Sequence, residues 1–212
     1  MNFGPETSEE DSHAIMDRAH ELEINFFDTA NVYGWKKGEG ITEQIIGRWW
    51  AQGGGRREKV VLATKVHGTM DDDDPNAYGS SRRHIIEQCD QSLKRLQTDY
   101  IDLYQIHWPD VTTPVAETME AVALLQQQGK IRAAGLSNYH TKDMKQAESV
   151  ACIAANKIRY SMLNKSVEAE LVPYCLEKKK TMLAYSILQR GILSGEEVPT
   201  FLWPEGYDNP RE

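Results

Sequence analysis

Asp28, Tyr33, Lys65 and His107 are the residues whose types and spacing could do chemistry together. Each stands at or near the end of a β-rich run. The run 24–29 (I-N-F-F-D-T) carries Asp28 and leads to Tyr33, the run 60–66 carries Lys65, and the run 101–107 closes on His107. A free Tyr titrates near pH ~10, too high for efficient proton transfer at neutral pH. A Lys ammonium beside it is expected to stabilise the phenolate and lower that value, while an Asp paired with the Lys holds the ammonium in place. A neutral His orients a carbonyl oxygen and can help relay the proton. Each residue alone has a plainer account: Asp28 as an N-cap, His107 as a core histidine, Tyr33 as packing. The constellation is more specific than its members.

The elements that must bring these residues together alternate along the chain. Further β-rich runs stand at 131–137, 158–163 and 182–187, and the run 60–66 is apolar almost throughout, as in a strand covered on both faces. Helical periodicity fills 8–22, 81–96 and 114–128. Ser81 and Thr141 read as N-caps and Gly129 as a helix-ending glycine. Such alternation predicts consecutive βα units on a parallel sheet, either doubly wound or a TIM barrel. No G-x-G-x-x-G follows a strand and no phosphate-binding G-x-x-x-x-G-K-[ST] is present. In a βα barrel, the C-terminal ends of the strands share one rim, where active sites lie.

Composition narrows the class. The 212 residues carry a net charge of −8, with 40% hydrophobic and 26% charged residues, which suits one globular domain over 1–212 and argues against a nucleic-acid binder. No run approaches the roughly 18 apolar residues of a membrane span. The N-terminus lacks a signal-peptide pattern, and the three scattered cysteines (Cys89, Cys152, Cys175) form no disulfide framework, so a reducing cytoplasm is expected. Cys89, on an apolar helix stripe, reads as core. Asp71–Asp74 reads as a solvated loop, and Lys178–Lys180 as the cationic end of a helix.

The stretches N-F-F-D-T-A-N-V-Y-G, V-V-L-A-T-K-V, S-L-K-R-L-Q-T-D-Y-I-D-L-Y-Q-I-H-W-P-D, G-K-I-R-A-A-G-L-S-N and M-L-A-Y-S-I-L-Q-R-G-I-L-S-G together resemble the aldo-keto reductases. They read most like the branch with general bacterial reductases and potassium-channel β-subunits. The resemblance implies an α/β fold of the (β/α)₈ TIM-barrel type. It implies NADPH-dependent reduction of small aldehydes or ketones by a tetrad of Asp28, Tyr33, Lys65 and His107, with Tyr33 as proton donor. It further implies that Ser137 and Asn138 hold the nicotinamide carboxamide and that Tyr185 stacks on the ring. Ser186, Leu188, Gln189, Arg190 and Gly191 would follow the pyrophosphate. Trp35, Trp108 and Tyr139 would shape an apolar substrate pocket beside Tyr33 and His107. No metal is implied.

Three departures from the family pattern stand out. Lys157 occupies the place of a Gln that contacts the carboxamide, which puts a cation near the site. Glu23 stands where a helix-ending glycine is usual, so that helix is expected to end differently, since a left-handed non-Gly residue costs roughly 1 kcal/mol. Only about six of eight βα units are legible, with the first and last strands expected outside the chain. Two open edges then invite pairing with a second copy. A catalytically weak or inactive homologue with a binding role is the alternative expectation, and an accidental tetrad on a doubly wound sheet is a third.

Overall fold

The computed structural model describes residues 2–34 and 38–194. Its elements alternate as the sequence predicts: α1 (Glu9–Glu21), β1 (Phe26–Asp28), α2 (Ile41–Ala51), β2 (Val61–Val66), α3 (Arg82–Arg95), β3 (Ile101–Ile106), α4 (Val115–Gln127), β4 (Ile131–Ser137), α5 (Thr141–Glu148), β5 (Ile153–Arg159), α6 (Leu171–Glu177) and β6 (Thr181–Tyr185). All neighbouring strands pair in parallel, in the order β1-β2-β3-β4-β5-β6. A doubly wound sheet reverses its strand order part way, so this strictly sequential order rules out the third expectation. It is the order of a barrel, with β1 and β6 at the two edges among the described residues.

The sheet is curled. Neighbouring strands lie ~4.8 Å apart, so β1 and β5 would be separated by roughly 19 Å on a flat sheet. Yet the carboxylate of Asp28 on β1 makes an ion pair with the ammonium of Lys157 on β5. That contact requires the two strands to face each other across a concave surface.

Two apolar clusters follow from the period-2 alternation of each strand. The larger one lies between the sheet and the helices and includes Trp49, Leu62, Ile85, Tyr104, Ile106, Met119, Leu125 and Leu136. Cys89 is part of it, as its apolar stripe predicts. The smaller one is Ala63, Leu103 and Ala155, with Ala133 and Leu183 packed against them. Those residues line the concave side as one thin layer. The next inward positions along the strands are polar: Asp28, Lys65, Gln105 and Lys157. Gly135 fits between these layers because a Cβ there would meet Gln105 Cγ at 2.9 Å and Leu103 Cδ1 at 3.0 Å.

The local signals have mixed outcomes. Ser81 caps α3 by accepting from the His84 N–H. Gly129 (φ 73°) follows α4 as the left-handed residue. Thr141 is the first residue of α5 rather than its cap, which is His140. Glu23 also corrects its expectation. It adopts φ 60°, with its N–H on the His20 carbonyl and the Ile24 N–H on the Ala19 carbonyl, so α1 ends as a glycine-terminated helix would.

The fifth strand lies earlier than its sequence signal. The β-branched and aromatic residues of 158–163 place it there, but β5 runs over Ile153–Arg159, and Ser161 and Asn164 close a turn through mutual backbone bonds. Ala154, Ala155, Asn156 and Lys157 have weak strand propensity. Pairing on both sides with β4 and β6 overrides it.

Candidate functional site

The polar layer at the C-terminal ends of the strands contains all four residues of the predicted proton-transfer set. Lys65 is its fixed point, with a fully buried side chain. Its Nζ donates to Asp28 Oδ2 at 2.6 Å and to the Thr29 carbonyl at 2.5 Å, and lies 3.5 Å from the Tyr33 hydroxyl. Tyr33 follows β1 on a loop whose Asn31 N–H donates to the Lys65 carbonyl, so the loop is tied back to β2. The rings of Tyr33 and His107 meet edge to face with centroids 5.7 Å apart. Trp108 stacks beside His107, its ring 14° from parallel at 6.1 Å.

Asp28 is held from both oxygens. Gln105 Nε2 donates to Oδ1 at 3.0 Å, and Lys65 and Lys157 both donate to Oδ2. Sequence reasoning did not single out Gln105. The signal was available: a polar residue interrupts the apolar run of β3 in the same phase as Leu103, much as Lys65 interrupts β2.

Burial and charge set the ionisation of each group. Burial works against the Asp28 carboxylate, but the Lys65 and Lys157 ammoniums outweigh it and hold Asp28 below its ordinary value. Burial lowers Lys65, Asp28 opposes that, and Lys157 adds to it, so that Lys65 falls to about 7. Burial, reinforced by Lys65, His67 and Lys157, drives His107 down to about 3, so its ring is neutral at physiological pH. Tyr33 corrects the sequence expectation. Burial of the ring, with the Asp28 charge second, raises its pKa above the ordinary Tyr value instead of lowering it. The desolvation of a phenolate outweighs the nearby ammonium, and the hydroxyl keeps its proton.

A second group of polar side chains adjoins this set. Asn138 (φ 62°) takes the left-handed conformation that Asn tolerates better than most residues. Its Nδ2 donates to the His107 carbonyl at 3.1 Å and to Ser137 Oγ at 3.0 Å, and its Oδ1 accepts from the Tyr185 hydroxyl at 2.7 Å. Ser137, Asn138 and Tyr185 are thereby locked together next to Lys157, which pairs with Ser137 in the β4–β5 register. An amide, a hydroxyl and a partly exposed aromatic ring together suit a nicotinamide carboxamide and ring.

The remaining candidates divide. Ser186 and Leu188 are exposed after β6, and Gly191 (φ 99°) lies in the 3-10 turn at Gln189–Ser194. Gln189 is engaged structurally, with Nε2 on Ser161 Oγ and Oε1 accepting from Arg159. Tyr139 is not on the open face. Only 2% exposed, it packs in the core between sheet and helices, because the chain turns outward towards α5 after Asn138. Trp35 and the Arg190 side chain lie outside the described residues.

Known proteins resemble this chain over most of its length. The profile of the Aldo/keto reductase family matches residues 1–202. The uncharacterized oxidoreductase YrpG of Bacillus subtilis (strain 168) is 43% identical over an alignment of 205 residues that covers 92% of this chain and 63% of that protein. The Schizosaccharomyces pombe aldo-keto reductase yakc [NADP(+)] is 33% identical, over 96% of this chain and 59% of its own length. The aldo-keto reductase AKR11C1 from Bacillus halodurans, in its holo form, superposes with a TM-score of 0.81 at 35% identity, over 97% of this chain and 66% of that structure. The chain thus spans less than two thirds of the length of the curated relatives it matches.

Proposed function

This chain belongs to the aldo/keto reductase family, and from that premise we propose that it reduces aldehydes or ketones with a proton from Tyr33 and a hydride from NADPH. The single observation that carries the reading is the Tyr33–Lys65–Asp28 chain of contacts beside a neutral His107.

Tyr33, with its raised pKa, holds its proton until the carbonyl oxygen gains electron density. His107 orients that oxygen as a neutral hydrogen-bonding group, and its neutrality avoids a second cation at the same point. Lys65 lies 3.5 Å from the Tyr33 oxygen and stabilises the phenolate as it forms. Asp28, steadied by Gln105, keeps the ammonium oriented. Ser137, Asn138 and Tyr185 are the residues that would hold the nicotinamide, which supplies the hydride when bound. The NADP(+) in the name of the yakc relative supports the choice of cofactor. Trp108 beside His107 supplies an apolar wall for the substrate.

The test is to add NADPH and a panel of small aldehydes and ketones to the purified chain and follow loss of nicotinamide absorbance. Carbonyl-dependent oxidation is the expected result. Nicotinamide binding without turnover on any carbonyl would point instead to the weak or inactive homologue.

A further inference from the structure

Lys157 has no part in the proton-transfer set as the sequence predicts it, yet it donates to the same oxygen of Asp28 that holds Lys65. One carboxylate oxygen thus serves two ammoniums, and the cluster carries one more positive than negative charge. The arrangement is built in. Lys157 stands on β5 between its neighbours β4 and β6, in register with Ser137 and Leu183. Asp28 cannot rotate away without giving up Gln105, which holds its other oxygen.

We propose that Lys157 is a positioning residue that competes with Lys65 for Asp28 and thereby sets the pH at which Lys65 loses its proton. The inference rests on the reading of Lys65 as the partner of Tyr33, but its test does not require turnover.

The sign follows from the charges. Asp28 favours the charged form of Lys65. Lys157 draws on that same carboxylate and repels Lys65 directly, so both effects favour neutral Lys65. The other groups that face Lys65 leave this balance in place. From the loop after β1 come Tyr33, whose raised pKa keeps it neutral, and the Thr29 carbonyl, which does not titrate. From β3 come Gln105, which is uncharged, and then His107, which stays neutral above about 3. Tyr185 on β6 meets Asn138 through its hydroxyl, and His67 acts on His107. Lys157 is therefore the cation whose removal most directly raises the affinity of Lys65 for its proton.

The experiment is a carbon NMR titration of the chain labelled at the lysine ε-carbons, with the Lys65 resonance identified by its loss in Lys65→Met. The unsubstituted chain should show one lysine titrating near 7, far below the ordinary value of about 10.4. Lys157→Gln keeps a polar side chain of similar reach without the charge. It should raise the Lys65 midpoint by at least one pH unit, a tenfold gain in proton affinity. Lys157→Arg keeps the charge and should leave the midpoint close to that of the unsubstituted chain. An unmoved midpoint in Lys157→Gln overturns the proposal, as does a Lys157→Arg midpoint as high as that of Lys157→Gln. If neither variant folds, the unsubstituted chain still decides: a Lys65 titrating at the ordinary lysine value overturns the proposal by itself. Failure of carbonyl turnover alongside a shifted midpoint would count against the proposed function and leave the role of Lys157 standing.

Discussion

Tyr33, Lys65, Asp28 and His107 were legible as a constellation at the ends of successive strands, with only Lys65 unusual on its own. Lys65 interrupts an apolar strand, and a buried lysine needs a partner. Their ionisation was not legible, because desolvation depends on how deeply the fold encloses each group. The expectation that Lys65 lowers the Tyr33 pKa fails for that reason, and in the proposed mechanism the high value would keep the acid loaded. A pH prediction follows for carbonyl reduction. His107 is neutral from about pH 5 upwards, so it should contribute no limb between 5 and 7. Lys65 loses its proton near 7, so kcat should fall as the pH rises above that point. A pH–rate profile checks this, and a rate that climbs steadily from 7 to 9 contradicts it. Gln105 supports Asp28 without touching the Tyr33 hydroxyl. Gln105→Leu should therefore cost roughly tenfold in kcat, a smaller loss than substitution of Tyr33, and single-turnover rates of the two variants would show whether that ranking holds.

At the scale of elements, periodicity found the strands and helices, while their ends depended on geometry that composition hides. Helices α1, α3, α4 and α6 all end in the same way, with a left-handed residue whose N–H bonds back three residues and a following N–H that bonds back five. Only α4 uses a glycine for it. Glu23 (φ 60°), Gln97 (φ 49°) and Lys179 (φ 54°) do the same work with a Cβ. Replacing each by glycine removes that strain at some cost in chain entropy and should stabilise by about 0.5–1 kcal/mol per site. The sites are far apart in sequence and terminate different helices, so the effects should add. The triple variant should melt roughly 4–10 °C higher, and a scan showing no rise would contradict the strain account.

The β5 boundary teaches the complementary lesson. Ala-Ala-Asn-Lys gives no strand signal, and only the neighbours β4 and β6 make it one. At the opposite ends of the strands, Arg57 bonds the Val60 and Tyr100 carbonyls and pairs with Asp102 at 2.9 Å while lying over the Tyr100 ring. Arg57→Ala would take this donor from the two carbonyls and one of two arginines from Asp102, leaving Arg132 on its Oδ1 and the Leu62 N–H on its Oδ2. It should destabilise by about 2 kcal/mol in urea unfolding, and a loss below about 0.5 kcal/mol would show the network to be dispensable.

At the scale of the molecule, the curled sheet explains why residues from β1, β2, β3 and β5 meet. The thin inner layer of Ala63, Leu103 and Ala155 brings the polar layer close above it, and Gly135 gives Gln105 room to reach Asp28. The fold class was readable from alternation and from the family resemblance. The closeness of Lys157 to Asp28 was not, because residues 129 positions apart meet only through the curvature of the whole sheet. The central claim is that this curvature assembles a working proton donor. Its most direct test compares the chain with Tyr33→Phe, which deletes one hydroxyl and keeps the ring against His107. Steady-state NADPH oxidation with an aldehyde should fall by 10²-fold or more, while fluorescence titration shows nicotinamide binding unchanged. Equal turnover by the two proteins would contradict the account.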